Sequence, residues 1–259
     1  LAKKIAKEIE ATASEHDRYG TFPHEHFEFM RSHGYLAASV PTEYGGTGHG
    51  LTDLALAQYE IGRGDGSTAV SVGMHHVVVG AESEARNWPH ELRDRIFREI
   101  ATNGALINSI ASEPDLGSPR GGGRPATTLA SIGDGKWLLN GRKTWSTLAP
   151  GLTYAIILVA VEDGSGDTAR VIQKMDSEGI SIEETWDSMS MRASGSHDIL
   201  FHDVVVQEED FLMRVNSLTP SKDIVAGAAW FPLLLSSSNV GIASAARDYA
   251  VDFAINRKP

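Results

Sequence analysis

The stretch Ser109-Ile-Ala-Ser-Glu-Pro-Asp-Leu-Gly-Ser118, with its downstream companion Asn140-Gly-Arg-Lys-Thr-Trp-Ser-Thr147, decides how this chain is read. Both segments lie where strand-like sequence breaks into loop. Together they supply hydroxyls, backbone donors, a glycine turn and an indole. That set suits a flat, polar, multi-ring cofactor, held at its edge by donors and on its face by an aromatic ring.

Around these segments, residues 105–206 alternate β-rich runs with Gly/Asp/Ser turns. The runs are 106–111, 127–132, 137–140, 154–161, 170–174, 180–184 and 199–206, and Gly133-Asp-Gly135 reads as a hairpin turn between two of them. Short strands at such spacing predict a β-barrel or sandwich. Upstream the periodicity is helical, with Leu1, Ile5 and Ile9 on one stripe. Pro23 opens a second helix through Arg31, with Gly34 as its C-cap. Residues 40–48 form a loop, Thr52 caps a helix to about Ile61, and Gly62, Gly64 and Gly66 break it. Residues 67–84 are apolar on most sides, which predicts a buried central helix. An amphipathic helix over 89–101 ends at Asn103-Gly104. After Thr219 the small, apolar pattern is helical again. The fold class is therefore α+β. A helical domain spans 1–104, a middle β domain spans 105–218, and 219–259 begin a further helical bundle.

Composition narrows the function. The 259 residues carry a net charge of -11 and no clustered Lys/Arg, which argues against nucleic acid as a partner. The same charge repels anionic ligands at long range, so an anionic substrate must be captured by local donors. With no cysteine, disulfides, thiolate metal sites and a Cys nucleophile are excluded. The longest apolar runs, 154–161 and 224–235, fall short of the roughly 20 residues of a membrane-spanning helix, and no signal peptide is visible. A cytoplasmic protein is the expectation. Starting at Leu1 and stopping at Pro259 as a helical pattern runs out, the chain reads as part of a longer protein.

In this order and spacing, the segments resemble the acyl-CoA dehydrogenase superfamily over essentially the whole chain. Val40-Pro-Thr-Glu-Tyr-Gly-Gly-Thr-Gly48 is similar to the family's amino-terminal loop. Ala111-Ser-Glu-Pro-Asp-Leu-Gly-Ser118 resembles its first flavin signature and Leu139-Asn-Gly-Arg-Lys-Thr-Trp-Ser-Thr147 its second. Trp186-Asp-Ser-Met-Ser-Met-Arg-Ala-Ser-Gly-Ser196 and Phe201-His-Asp-Val-Val-Val206 match the end of the middle domain. The resemblance implies FAD, or FMN as the alternative, held by Ser109, Ala111, Ser112, Gly117, Ser118, Trp145, Ser146 and Thr147. Ser112 and Thr147 would bond the isoalloxazine edge, Trp145 would lie against the ring, and Gly117 would allow close backbone approach. Ser118 would donate to the pyrophosphate or to the substrate's thioester end. Glu113 is structural in the family, and the adjacent Pro114 fits a loop-fixing role.

The family reaction is α,β-dehydrogenation of an acyl-CoA, with hydride passing to flavin N5 and a carboxylate taking the α-proton. The partners implied are a small-molecule substrate, acyl-CoA in most members, and a homodimer or homotetramer. Trp230-Phe-Pro-Leu-Leu-Leu235 offers no carboxylate, and Pro232 stands about where many members carry an arginine near the CoA. The catalytic base is expected beyond Pro259. This departure gives weight to a monooxygenase branch of the same fold, which uses reduced flavin and oxygen. There His75 and His76 would face the substrate; hydrogen-bonded core histidines are the alternative. A third reading, an inactive binding protein, is opposed by the intact flavin segments. His24 and His26, beside Glu25 and Glu28 on an exposed helix, do not converge on a metal, and none is expected. His197 and His202 read as surface residues. No GxGxxG or P-loop spacing occurs.

Overall fold

The computed structural model describes residues 1–115, 123–215 and 227–257. Five helices come first: α1 (Ala2–Tyr19), α2 (His24–Ser32), α3 (Leu51–Gly64), α4 (Gly66–Ala85) and α5 (His90–Asn103). α1 buries Ile5 and Ile9 on its apolar stripe and ends at Gly20 in the left-handed conformation. α4 is the apolar centre of this bundle, with buried residues over about two thirds of its circumference and Val70, Met74, Val77 and Ala81 only half-buried on the remaining stripe. Its first turn is capped by the Asp65 carboxylate, which accepts from the Ser67 and Thr68 N–H groups.

Gly62 and Gly64 do not break α3 as their sequence predicts. They remain helical because neighbouring backbone comes too close for a side chain. A β-carbon on Gly62 would stand 2.5 Å from the Ser238 carbonyl oxygen, and one on Gly64 would stand 2.3 Å from that of Ala6. Ser238 lies on the last helix, α6 (Trp230–Asn256). α6 reciprocates with Gly241, whose β-carbon would meet the Tyr59 oxygen at 2.1 Å. The cap also differs, since Gly50 rather than Thr52 precedes α3.

Between α5 and α6 the chain builds one eight-stranded sheet. Its strands are β1 (Ile107–Ile110), β2 (Thr128–Gly133), β3 (Lys136–Ser146), β4 (Tyr154–Val161), β5 (Thr168–Lys174), β6 (Ile180–Glu183), β7 (His197–Gln207) and β8 (Phe211–Val215). The order is β6-β7-β3-β2-β4-β5-β8, with β1 beside β4. β1 and β2 both run parallel to β4 along one edge, Ile110 facing Ile157 and Thr128 facing Ala160. The segment carrying Ala111–Asp115 thus leaves and rejoins the sheet at nearly the same place. One sheet face buries Leu129, Leu139, Ile157, Val171 and Ile199; on the other, Ile107, Tyr154, Ile156 and Ile172 pack on Ile96, Phe97 and Ile100 of α5.

α6 is seated on α4 by a single large ring. Trp230 is buried, and its six-membered ring occupies the space above Gly80, where an added β-carbon would stand 2.2 Å from ring carbon. Gly80→Ala should therefore destabilise the protein by about 1–3 kcal/mol, although alanine is the better helix former. In a Trp230→Leu background the same change should become neutral or stabilising. Paired thermal melts decide this: an undiminished Tm for Gly80→Ala alone would mean that the ring can step aside.

Candidate functional site

The two opening segments meet at one end of the sheet. The Thr144 N–H donates to the Ser112 carbonyl, and the Asn108 side-chain amide donates to the Thr147 carbonyl at 2.9 Å. β3 makes this possible by bulging. Against β7 it pairs Lys143 with Ile199 and Ser146 with His197, leaving Thr144 and Trp145 irregular. Trp145 takes a left-handed φ of 53°, uncommon for a bulky residue, and its indole is left 60% exposed.

Beneath the surface a buried ion pair ties the segments together. The Lys143 ammonium lies 2.6 Å from a Glu113 carboxylate oxygen, both side chains being essentially inaccessible. Glu113 also accepts from the Ala126 N–H, the Thr127 N–H and the Thr127 hydroxyl. Burial pushes the Glu113 pKa up, but these donors, Lys143 first among them, outweigh it and bring it down to about 2. Burial also draws the Lys143 ammonium below its usual range, against the pull of Glu113. With four donors on one carboxylate, the ionised pair prevails at neutral pH. The loop-fixing role expected of Glu113 has this physical form.

A second anchor sits on the other side of β3. Buried Asp198 accepts from the Thr144 and Thr185 hydroxyls and from Arg142. Burial opposes its ionisation, and those donors still hold its carboxyl below the ordinary range. The Thr147 hydroxyl shares a hydrogen bond with Ser196, which shares another with Ser194.

The expected site residues divide by placement. Ala111, Ser112 and Thr147 are half-buried, Trp145 is exposed, and the Ser112 hydroxyl has no partner among the described residues. The Ser109 hydroxyl is instead engaged by Arg170 in a cavity that none of these four lines. Ser146 turns inward instead: its hydroxyl is wholly buried without a partner, so only its backbone could meet a ligand. Gly117 and Ser118 lie outside the described residues. His75 and His76 are interior. The Nε2 of His75 bonds the Leu36 carbonyl, and its Nδ1 accepts from the Ile107 N–H. His76 shares Nδ1 with the Ser39 hydroxyl and leaves Nε2 unpartnered. Desolvation lowers the pKa of both, His75 to about 4, so both are neutral. Fully buried, neither ring is placed to meet a substrate, and the core-histidine alternative describes them.

His26 also departs from its exposed placement, being buried between the Thr12 and Thr68 hydroxyls. His16, Glu25 and His26 come within reach of one another there, but both nitrogens of each ring are engaged by neighbours. His197 is likewise interior and accepts from the Trp186 N–H, whereas His202 is exposed.

Sequence reasoning passed over Arg170, on β5. Its guanidinium donates to the Ser109 hydroxyl at 3.0 Å. Both residues line a cavity of about 190 Å³ walled by α4, β1, β4, β5 and β8. The alternation of β5 places Arg170 on the same face as Ile172, a signal already present in the run 170–174 but without meaning until the cavity on that face is known.

The arrangement fits a flavin by its own chemistry: an exposed aromatic residue, a hydroxyl without a partner among the described residues and a backbone bulge, locked from behind. The family description "Acyl-CoA dehydrogenase, N-terminal domain" matches residues 1–107, and "Acyl-CoA dehydrogenase, middle domain" matches 109–204. The chain is 39% identical over 256 residues to a putative acyl-CoA dehydrogenase, YdbM, of Bacillus subtilis (strain 168), covering 99% of this chain and 65% of that protein. It is 34% identical to the amino sugar nitrososynthase RubN8 of Streptomyces rubradiris, covering 94% of this chain and 57% of that one. Among solved structures, KijD3 in complex with FMN and dTDP-3-amino-2,3,6-trideoxy-4-keto-3-methyl-D-glucose superposes with a TM-score of 0.89 at 32% identity, over 99% of this chain and 63% of KijD3. The chain thus spans somewhat under two thirds of the length of these relatives.

Breaking the buried pair on one side should be costly. Lys143→Met is expected to lower stability by about 3–5 kcal/mol by stranding a buried carboxylate, and the double change with Glu113→Gln should cost less. Denaturant unfolding of the set checks this, and additive losses would deny the coupling. The acid limb has a defined sign. Because the folded pKa of Glu113 is depressed, its contribution is complete above about pH 4.5 and is lost as pH falls toward about 2. The stability gap between wild type and Glu113→Gln should close over that window.

Proposed function

Because the chain belongs to the acyl-CoA dehydrogenase superfamily, we propose that it is a flavin-dependent oxidoreductase of the oxygen-using kind, placing an oxygen atom on a small substrate. The observation that carries this reading is the opening of α6. Trp230-Phe-Pro-Leu-Leu-Leu235 supplies no arginine for CoA, Pro232 standing about where many members carry one, and its first residue is spent on packing against Gly80. Glu82, the carboxylate that lines the cavity, accepts from the Asn87 and Trp88 N–H groups and from Arg93, so it is poorly placed to act as a base. The likeness to a nitrososynthase and to FMN-bound KijD3 supports the same choice.

A reduced flavin bound here supplies the electron pair with which dioxygen is divided between product and water. The chain's part is to hold and shield it. The Trp145 indole would cover a ring face and exclude water, and the Ser112 and Thr147 hydroxyls would serve the polar edge. FMN is the cofactor of this reading, with FAD the alternative. A second reading, acyl-CoA dehydrogenation with FAD and a base beyond Pro259, is favoured by the identity to the putative acyl-CoA dehydrogenase of Bacillus subtilis. In either case α6 leaves Tyr249 and Phe253 exposed one turn apart, an apolar pair that further helices or a second subunit would cover. Among the described residues, no helix is long and apolar enough to cross a membrane.

The flavin spectrum of the full-length protein separates the readings. Saturated acyl-CoAs added anaerobically should leave the flavin oxidised, while externally reduced flavin should support oxygen-dependent product formation. Anaerobic bleaching by an acyl-CoA would overturn the oxygen reading. In a fluorescence titration, Trp145→Ala should weaken flavin binding about tenfold, equivalent to about 1.4 kcal/mol; unchanged affinity would remove the indole from the site.

A further inference from the structure

Arg170 is a largely buried guanidinium without a carboxylate partner among the described residues. Among the described residues, its hydrogen bond to the Ser109 hydroxyl leaves most of its five donors unmet. A cation removed from water without a counter-ion is costly, and interiors seldom keep one unless something completes it. Arg170 lines the cavity of about 190 Å³ whose other walls are Val78, Ala81, Ala85, Trp88, Ile156 and Leu212. Glu82 lines it too, but its oxygens are occupied by Asn87, Trp88 and Arg93. The space thus has an apolar barrel and one cationic end with a hydroxyl beside it. An apolar cavity of about 150 Å³ can hold benzene, so this one has room for a single ring with a short polar appendage.

We propose that this cavity is a binding site for a small monocarboxylate with an apolar body, its carboxylate received by Arg170 and Ser109 and its body by the walls of α4, β4 and Trp88. Arg170 is then the specificity-determining residue. A planar guanidinium matches a carboxylate in a two-point fork, and it supplies the local donor that a chain of net charge -11 needs to capture an anion. The cavity shares Ser109 with the first cofactor segment. That its occupant is the substrate rests on the flavoenzyme reading above; that the site prefers a carboxylate does not.

Binding to the full-length flavoprotein tests the preference without turnover. Phenylacetate and its neutral isostere phenylacetamide are titrated by calorimetry, with Trp88 in the wall offering a fluorescence signal. Phenylacetate should bind at least about tenfold more tightly. Arg170→Gln should bring the ratio close to one while retaining phenylacetamide, and Arg170→Lys should keep part of the preference. Equal affinities in the wild-type protein, or no phenylacetate binding at millimolar concentration, would overturn the proposal even if the variants failed to fold. Loss of flavin from Arg170→Gln with the ligand ratio intact would also overturn it, assigning the guanidinium to the cofactor. Bleaching by an acyl-CoA would defeat the oxygen reading and leave this binding preference standing.

Discussion

The ionised pair of Glu113 and Lys143 is the constraint on which the site depends. It joins two strands that are distant in sequence at the one place where both stop behaving as strands. A carboxylate with four donors has little freedom to move, so Ser112 just before it and Thr144 just after the lysine are fixed with it. Because the charges are out of water, neither partner can be lost without exposing the other to a large penalty. The bulge at Trp145 is the outward expression of this inward lock. An aromatic residue takes a left-handed conformation because its neighbours on both sides are already committed.

Much of the fold could be read from periodicity, and the failures have physical causes. The apolar run over β4 declares itself because burial on both faces leaves no polar interruption, and α4 because small and apolar residues dominate most of its sides. β8 escaped notice because Phe211–Val215 follows the acidic turn Glu208-Glu209-Asp210 and pairs only at a sheet edge. β3 looked like a short strand because Gly141 and Lys143 are poor strand signals taken singly. In the fold Gly141 is required by the close approach of Thr127, and Lys143 by its buried partner. Gly62 and Gly64 show the reverse error: propensity reads a break where tertiary contact demands absence of a side chain. Trp145 and Ser112 could be picked out from their motif, while Arg170 could not, since an arginine on a strand has no signature until the cavity it enters is known.

Cofactor and chemistry are encoded in different parts of this molecule. The sheet end supplies the surface that fits a flavin and belongs to the architecture of the whole superfamily. What reacts there would depend on neighbouring elements such as α4 and β5, which line the adjoining cavity at Ser109, and α6, which packs on α4. These elements carry residues whose first duty is packing, such as Trp230 against Gly80. Relatives named as dehydrogenases and as nitrososynthases can therefore share the same frame at similar identity.

The shared edge of β4 has a consequence of its own. β1 and β2 dock on it at Ile157 and Ala160, so the intervening chain begins and ends roughly 10 Å apart. A span whose ends are clamped by the same strand can change length at small entropic cost, because closure has already been enforced by the sheet. Insertions and deletions there would leave the register of every other strand as it is. The fold has in effect an adjustable port set into a rigid frame. Descent with modification can explore new substrates through that port without first having to solve the folding problem again.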